Sequence, residues 1–297
     1  MKRDAFDAWM LDAQRAVEAA LEAWVPADTP AGLGLAMRYG VLDGGKRLRP
    51  LLVLAACEAV HGSRSAAMRA AVAVELIHAY SLVHDDMPCM DNDVLRRGKP
   101  TVHVQFGEAQ AMLAGDAMQA LAFEVLTPDD PAEMAPALQA RLCALLARSA
   151  GHAGMAGGQA IDLASIGVAL DERALRDMHR RKTGALLQAS VLMGAACGPG
   201  EPRAWDALAQ YGAAIGLAFQ VVDDILDVTQ ASETLGKTAG KDAHHDKPTY
   251  VSLMGLDAAR RHALELRDDA RAALARSGLP DTSRLALLAD RVVERES

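Results

Sequence analysis

Residues 77–103 constrain the fold most, because an apolar helical pattern runs directly into a cluster of charged residues. Asp85 and Asp86 end the apolar run, Pro88 interrupts it, and Asp91 follows. Pro disrupts a regular helix, so Asp91 can loop back toward the other two aspartates, although a continuous helix would direct it elsewhere. Acidic and basic residues packed this closely predict a polyanion site in which divalent cations bridge carboxylate to phosphate.

A second acidic cluster lies far along the chain on another apolar helical pattern. Asp223, Asp224 and Asp227 stand at positions i, i+1 and i+4. On a regular helix Asp223 and Asp227 lie about 40° apart, while Asp224 is offset by about 100°. This spacing alone is also typical of a solvated acidic face. Together with the first cluster it predicts two sets of carboxylates that face one another across a cavity and bind Mg²⁺.

The composition favours helices throughout the chain. Hydrophobic residues make up 51% of the 297 residues and aromatic residues only 4%, so the core must consist mainly of Ala, Leu, Val and Met. Ala and Leu lose little free energy on entering a helix, and no segment combines alternating polarity with β-branched residues as a strand would. We therefore expect an all-α bundle of about ten or more helices that forms one domain over residues 1–297.

Charge, cysteine usage and hydropathy each argue against a class of protein. The net charge of -8, with both signs mixed along the chain, argues against a nucleic-acid binder, which normally carries a basic face. The four cysteines form no CxxC pair, as expected for free thiols in a reducing compartment. No uncharged run approaches the roughly 18 residues of a transmembrane helix. We expect a cytoplasmic protein without a membrane span or a nucleic-acid partner.

A short basic segment precedes the third helical pattern. Lys46, Arg47 and Arg49 stand directly before Pro50, a residue that is common in the first turn of a helix. A solvated run of charges is the usual interpretation of such a cluster, and a phosphate-binding edge is the alternative. We favour the phosphate-binding edge because the segment lies between two apolar helices.

The order and spacing of several motifs make the chain resemble a known family. The motifs are GGKRLRP (44–50), HAYSLVHDDMPCMDNDVLRRGKPTVH (78–103), GGQAIDL (157–163), KTG (182–184), FQVVDDILD (219–227), and LGKTAGKD with DKPTY (235–250). The chain resembles the trans-isoprenyl diphosphate synthases, most closely the bacterial farnesyl diphosphate synthases. The resemblance covers nearly the whole chain. It implies an isoprenoid-synthase-type helical bundle with a deep central cavity, and head-to-tail condensation of an allylic diphosphate with isopentenyl diphosphate.

The resemblance also implies partners and roles for individual residues. It implies a homodimer with three Mg²⁺ ions per active site, for which Mn²⁺ is expected to be able to substitute. The Mg²⁺ ions would be held by Asp85, Asp86, Asp91, Asp223, Asp224 and Asp227. The cations on the allylic diphosphate would be Arg96, Lys182 and Lys237, with Lys247 as a supporting base. The isopentenyl diphosphate pocket would comprise Lys46, Arg49, His78 and Arg97. Thr183 and Gln220 would direct oxygen dipoles toward the developing carbocation.

Product length is predicted from the helix that leads to Asp85. Tyr80 and Ser81 precede Asp85 by five and four residues, which puts them about 6–7.5 Å deeper along the helix. In the family resembled, the growing chain runs along this helix, so Tyr80 would form a floor. Together with the insertion of Pro88 and Cys89, this resembles enzymes that stop at C15. The alternative is that Tyr80 merely packs in the core.

Three other functions are compatible with some of these motifs. A geranylgeranyl or geranyl diphosphate synthase would share the mechanism and differ in product length. A class I terpene cyclase would share the fold and a DDxxD motif but would not need the second diphosphate site implied by Lys46, Arg49 and Arg97. A non-catalytic subunit of a heteromeric synthase would tend to lack one aspartate cluster, whereas both are intact here.

Overall fold

The computed structural model describes residues 3–42, 44–168, 170–229 and 249–295. The predicted all-α class is confirmed, since almost all regular structure in these ranges is helical. The helices are α1 (Arg3–Trp24), α2 (Leu33–Val41), α3 (Leu48–Ala59), α4 (Arg64–Asp85), α5 (Val102–Phe106), α6 (Glu108–Leu126), α7 (Pro136–Ala150), α8 (Met155–Ala164), α9 (Glu172–His179), α10 (Ala185–Ala196), α11 (Pro202–Thr229), α12 (Tyr250–Met254), α13 (Leu256–Arg276) and α14 (Ser283–Val293). A 3₁₀ turn at Pro30–Gly32 precedes α2, and a π-helical turn at Arg180–Gly184 joins α9 to α10.

Local sequence signals account for several helix boundaries. The Ser63 side chain accepts a hydrogen bond from the backbone N of Ala66 at the start of α4, and Asp171 caps α9 in the same way through Ala174 N. These side chains satisfy N–H groups that have no partner within the helix. Pro136 and Pro202 begin α7 and α11, where a missing N–H costs nothing.

A short β-hairpin departs from the expectation that the chain contains no strand. It pairs Leu95–Arg96 with Lys99–Pro100, and these strands are too short to show a period of two in the sequence. Residues 151–154 form turns before α8, and α13 extends over 21 residues.

The two helices that carry the aspartate motifs are both central to the fold. The α4 helix packs against α3, α6 and α10, and its interior side chains are almost all Ala, Val, Leu or Ile. The α11 helix packs against α10 and α13. Because α10 contacts both α4 and α11, it fixes the two motif-bearing helices relative to one another.

One helix of the described ranges, Arg64–Asp85, is long and apolar enough to cross a membrane by length and composition. In this structure 67% of its most apolar 18-residue window is buried inside the protein.

Candidate active site

The first aspartate motif is shaped by a tight loop at the end of α4. The helix ends at Asp85, and the backbone N of Asp91 then donates to the carbonyl oxygen of Asp85 at 2.9 Å. The N–H of Asp93 donates in the same way to Asp86 O at 3.0 Å. The loop therefore turns back on the helix end and brings Asp91 beside Asp85.

Carboxylates from both motifs line one cavity of about 580 Å³. The acidic residues on its wall are Asp85, Asp91, Asp93, Asp223 and Asp227. Burial, reinforced by the neighbouring Asp91 carboxylate, raises the pKa of Asp85 to about 6 against the opposing effect of Lys182. Crowded carboxylates of this kind favour a bound cation, because it relieves their mutual repulsion.

Asp86 and Asp224 are not on the cavity wall, and each is only 2% exposed. Asp86 forms a two-pronged ion pair with Arg96, in which Arg96 Nη2 lies 2.6 Å from Oδ1 and Nε lies 2.8 Å from Oδ2. Asp224 Oδ1 accepts from Gln220 Nε2 at 2.9 Å, and its Oδ2 accepts from the backbone N of Tyr250 at 2.8 Å. In each motif, therefore, one carboxylate faces the protein interior.

Close backbone contacts place Lys182 and Thr183 at the cavity. Both residues lie in the π-helical turn, a distortion that is frequent at functional sites. A Cβ added to Gly158 of α8 would lie 2.1 Å from the backbone N of Lys182, so only glycine allows this approach. Likewise, a Cβ on Gly216 of α11 would lie 2.7 Å from the Cα of Gly184. The π-helical turn is therefore packed closely between α8 on one side and α11 on the other.

The polar groups of this turn have defined partners. Lys182 Nζ donates to Asp162 Oδ2 at 2.6 Å while its side chain also lines the cavity. The Thr183 hydroxyl donates to Gln220 Oε1 at 3.0 Å, and both of these residues line the cavity. The predicted carbocation-facing pair is thus brought together between the π-helical turn and α11.

The predicted isopentenyl diphosphate residues divide into two groups. Arg49 and His78 line the same cavity as the aspartates. Burial lowers the pKa of Arg49 to about 10, which leaves it protonated at neutral pH. Burial and the surrounding arginines, Arg49 first among them, lower the pKa of His78 well below its usual value. His78 is therefore a neutral hydrogen-bonding group in strongly electropositive surroundings.

Lys46 and Arg97 lie beside this cavity rather than on its wall. Lys46 lines a neighbouring cavity of about 620 Å³ together with Phe219 and Arg295. Arg97 lies against the backbone of the GGKRLRP segment, where its Nη1 donates to Gly44 O at 2.8 Å. Arg97 itself has a φ of 52°, in the left-handed region, and forms the tip of the hairpin with Gly98.

The C-terminal end of the described chain reaches the second motif. Arg295 Nη2 lies 3.2 Å from Asp223 Oδ1 and donates to the carbonyl oxygen of Phe219 at 2.7 Å. Its guanidinium also stacks over the Phe219 ring at 3.9 Å. The segment that follows α14 thereby supplies a cation to a carboxylate on the cavity wall.

The predicted floor residues line the cavity as well. Tyr80 and Ser81 are on its wall, and the Tyr80 ring meets the His84 ring edge-on with centroids 5.7 Å apart. Burial raises the pKa of Tyr80, and a hydrogen bond with Gln119 of α6 partly opposes that effect. The ring is therefore held from both α4 and α6.

Sequence reasoning missed three polar residues at this site. Gln159 is only 9% exposed, lines the cavity, and has no hydrogen-bond partner for either side-chain atom among the described residues. Asp162 pairs with Lys182, and Asp93 lines the cavity. The two glycines before Gln159 are the sequence feature that could have indicated its position, because paired glycines allow another backbone segment to approach the helix closely. Lys237 and Lys247 lie outside the described residues.

The donor set fits Mg²⁺ held partly by a substrate. Within the described ranges, no group of three or more His, Cys, Asp or Glu side chains converges closely enough to hold a metal ion alone. Mg²⁺ typically binds one or two carboxylates and takes its other ligands from water and phosphate. The wall-lining carboxylates of the two motifs have the chemistry for that arrangement.

Residues 31–275 match the polyprenyl synthetase family. The chain is 50% identical over 263 residues to farnesyl diphosphate synthase of Escherichia coli (strain K12). This alignment covers 87% of this chain and 88% of that protein. The chain is also 49% identical over 268 residues to the chloroplastic geranylgeranyl pyrophosphate synthase 9 of Arabidopsis thaliana, covering 89% and 74% of the two chains. Similarity of sequence therefore does not separate a farnesyl from a geranylgeranyl product.

The fold agrees with this match. The structure of a Helicobacter pylori geranyltransferase, determined in complex with magnesium and isoprenyl diphosphate, superposes with a TM-score of 0.83 at 33% sequence identity. The superposition covers 96% of this chain and 95% of that one. The chain therefore belongs to the polyprenyl synthetase family and is a prenyltransferase of the trans-isoprenyl diphosphate synthase type.

Proposed function

We propose that the chain is a farnesyl diphosphate synthase, which condenses dimethylallyl and then geranyl diphosphate with isopentenyl diphosphate in a head-to-tail reaction. The observation that carries this proposal is one cavity whose wall includes aspartates of both motifs together with Tyr80. We further propose that residues 1–297 act as one catalytic domain in a cytoplasmic homodimer.

The ionising end of the cavity would hold the allylic diphosphate. Asp85, Asp91, Asp223 and Asp227 are the residues best placed to hold Mg²⁺, which when bound neutralises the charge of the departing diphosphate. Arg96 and Lys182 line the same region and would contact the diphosphate oxygens as the C–O bond breaks. Lys237 and Lys247 remain predictions for the same group.

Arg49 and His78 would bind the second diphosphate. A neutral His78 donates one hydrogen bond without adding repulsion among the neighbouring arginines, and Arg49 Nε is buried with no partner among the described residues. An anion would satisfy that donor, since an unpaired buried donor is costly. Lys46 and Arg97 flank this position, and we propose that they close around isopentenyl diphosphate. The departing diphosphate is the proposed base for the final proton loss.

A product of C15 is proposed from Tyr80. The ring is fixed by His84 on its own helix and by Gln119 on α6, so it forms a firm wall across the path of a growing chain. A longer product would require the ring to leave both contacts. The alternative is a geranylgeranyl diphosphate synthase, since the 49% identity to the plant enzyme nearly equals the 50% identity to the Escherichia coli farnesyl enzyme.

The test is a product analysis with dimethylallyl diphosphate, isopentenyl diphosphate and Mg²⁺. We expect a dominant C15 alcohol after dephosphorylation and C20 or longer products from Tyr80→Ala. The matched control Tyr80→Phe keeps the ring and its contact with His84 but loses the hydroxyl that bonds Gln119, and its product should remain mainly C15. A wild-type C20 or C10 product would replace the C15 assignment. Absence of any product from a dimeric, Mg²⁺-supplied protein would favour the non-catalytic subunit instead.

The homodimer is supported by apolar side chains exposed on α5 and α6. Val104, Met112 and Leu113 are 49%, 40% and 54% exposed on adjoining helices. Exposed apolar side chains grouped in this way are typical of interaction surfaces. Light scattering should give twice the chain mass of 31.4 kDa, and Leu113→Glu should reduce it to the single-chain value. A monomeric wild-type protein would contradict the assembly.

A further inference from the structure

Asp224 occupies a different environment from the other two aspartates of its motif. Asp223 and Asp227 line the cavity, whereas Asp224 is 2% exposed and faces α12. Its two oxygens accept hydrogen bonds from different elements: Oδ1 from Gln220 one turn earlier on α11, and Oδ2 from the backbone N of Tyr250. These bonds tie the start of α12 to α11.

The bond to Asp224 determines which way the Gln220 amide points. A carboxylate can only accept hydrogen bonds, so the amide must present its NH₂ group to Asp224. Its carbonyl oxygen then points the other way, where it accepts from the Thr183 hydroxyl at 3.0 Å. The hydroxyl proton is thereby committed to Gln220, which leaves the lone pairs of Thr183 for the cavity that both residues line.

The Tyr250 side of the network is equally specific. Tyr250 is the first residue of α12, so its N–H has no partner within the helix. Its ring stacks on His179 with centroids 5.5 Å apart and packs near His262 at 5.8 Å. The N–H that fixes Asp224 is therefore itself held in place by rings from α9 and α13.

We infer that Asp224 is a positioning residue, which anchors α12 and orients Gln220 so that amide and hydroxyl oxygens face the carbon where positive charge develops. This role rests on the proposed prenyl transfer. It differs from the metal-binding role that its place in the motif implies.

The first test compares Asp224→Asn with Asp223→Asn. At saturating Mg²⁺, Asp224→Asn is expected to lower kcat on the order of tenfold to a hundredfold, because the amide can turn over. Its half-saturating Mg²⁺ concentration and its KM for isopentenyl diphosphate should stay within about twofold of wild type. Asp223→Asn should raise the Mg²⁺ requirement by about tenfold or more. An equal rise for Asp224→Asn would identify it as a metal ligand and overturn the inference.

A double-mutant cycle tests whether Asp224 acts through Gln220. If it does, adding Asp224→Asn to Gln220→Leu should cost kcat less than about threefold, because the oriented amide is already gone. Independent multiplication of the two losses would contradict the positioning role. Urea unfolding of each variant ensures that kcat is compared between folded proteins.

A second cycle needs no activity and so separates this inference from the proposed function. Tyr250→Ala removes the ring but keeps the N–H, and Tyr250→Pro removes both. Proline is tolerated here because the position opens a helix and Thr249 before it is extended, with φ of -128° and ψ of 160°. Tyr250→Pro should raise the unfolding equilibrium constant about tenfold relative to Tyr250→Ala in wild type and by less than about twofold in Asp224→Asn. Equal effects in both backgrounds would exclude the anchor, whatever reaction the protein catalyses.

Discussion

The two aspartate motifs solve the same problem with different partners. In the first, Asp85 and Asp91 line the cavity and Asp86 is buried against the guanidinium of Arg96. In the second, Asp223 and Asp227 line the cavity, but Asp224 is buried against an amide and a backbone N–H. One inward carboxylate is therefore paired with a full charge, and the other accepts hydrogen bonds from an amide and a backbone dipole.

The difference indicates what each inward carboxylate holds in place. Asp86 holds Arg96, whose side chain also reaches the cavity wall, so the first motif positions a cation beside the proposed diphosphate site. Asp224 holds Gln220 and the start of α12, so the second motif positions a dipole. Two adjacent aspartates in a sequence thus combine one group for the ligand with one group for its surroundings.

The largest effect on kcat is expected from the cavity-lining aspartates, and it should be equal in the two motifs. Asp91→Asn and Asp227→Asn each remove a wall carboxylate from one motif, and each should lower kcat on the order of a thousandfold, because ionisation of the diphosphate loses a metal ligand. Steady-state kinetics at saturating Mg²⁺ measures this. Asp206→Asn, on the same helix as Asp227 but exposed, is the matched control and should be unchanged. A loss of kcat in only one of the two variants would show that the cavity-lining aspartates of the two motifs are not equivalent.

A pH dependence of stability is expected from the first motif. The pKa of Asp85 is about 6 in the folded protein and 3.8 in its ordinary state, so between these values the folded state holds more protons than the unfolded state. In EDTA, the free energy of unfolding should therefore fall by about 2 to 3 kcal/mol as pH rises from 4 to 7. Urea unfolding at several pH values measures this fall. Asp85→Asn should remove that part of it, and an identical slope in the variant would rule out Asp85 as the cause.

The next largest effect is expected from breaking the ion pair between Asp86 and Arg96 in the first motif. Asp86→Asn leaves the Arg96 guanidinium without its carboxylate and is expected to lower the free energy of unfolding by about 2 kcal/mol. Chemical denaturation of Asp86→Asn, Arg96→Gln and the double variant measures the coupling. The double variant should be less destabilised than the sum of the two single variants. Additive losses would mean that Asp86 does not hold Arg96.

Much of this arrangement could be predicted from residue spacing. Pro88 after the apolar run predicted that Asp91 loops back, and the hydrogen bond from its N–H to Asp85 O describes such a loop. The i, i+1, i+4 spacing predicted that Asp224 is offset from Asp223 by about 100°, although the family resemblance implied that all three aspartates hold Mg²⁺. Spacing could not predict what Asp224 meets, because Tyr250 comes from a helix 26 positions later whose location depends on packing.

Other parts of the site had no periodic signal. Gln159 lies one residue after a glycine that is required by the approach of Lys182, and that approach exists only in the packed bundle. The partition of the basic residues between two cavities, with Arg49 in one and Lys46 in the other, depends on where the last helix lies. Arg295 reaches Asp223 from 72 positions away, a distance over which local pattern carries no information.

The smallest effect is expected at the contact between Arg295 and Asp223. A variant at Arg295 tests whether its guanidinium competes with Mg²⁺ for this carboxylate of the second motif. Arg295 Nη2 lies 3.2 Å from Asp223 Oδ1, so a metal ion at that carboxylate must displace or share the guanidinium. Asp223 is 38% exposed, which limits the pair to less than about 1 kcal/mol. Arg295→Gln should therefore lower the half-saturating Mg²⁺ concentration by only about threefold. Arg291→Gln, which changes a neighbouring cation that lines the same 620 Å³ cavity, is the control and should shift it less. A raised Mg²⁺ requirement in Arg295→Gln would mean that the guanidinium assists binding at this wall, for example by contacting the substrate, rather than competing with the metal.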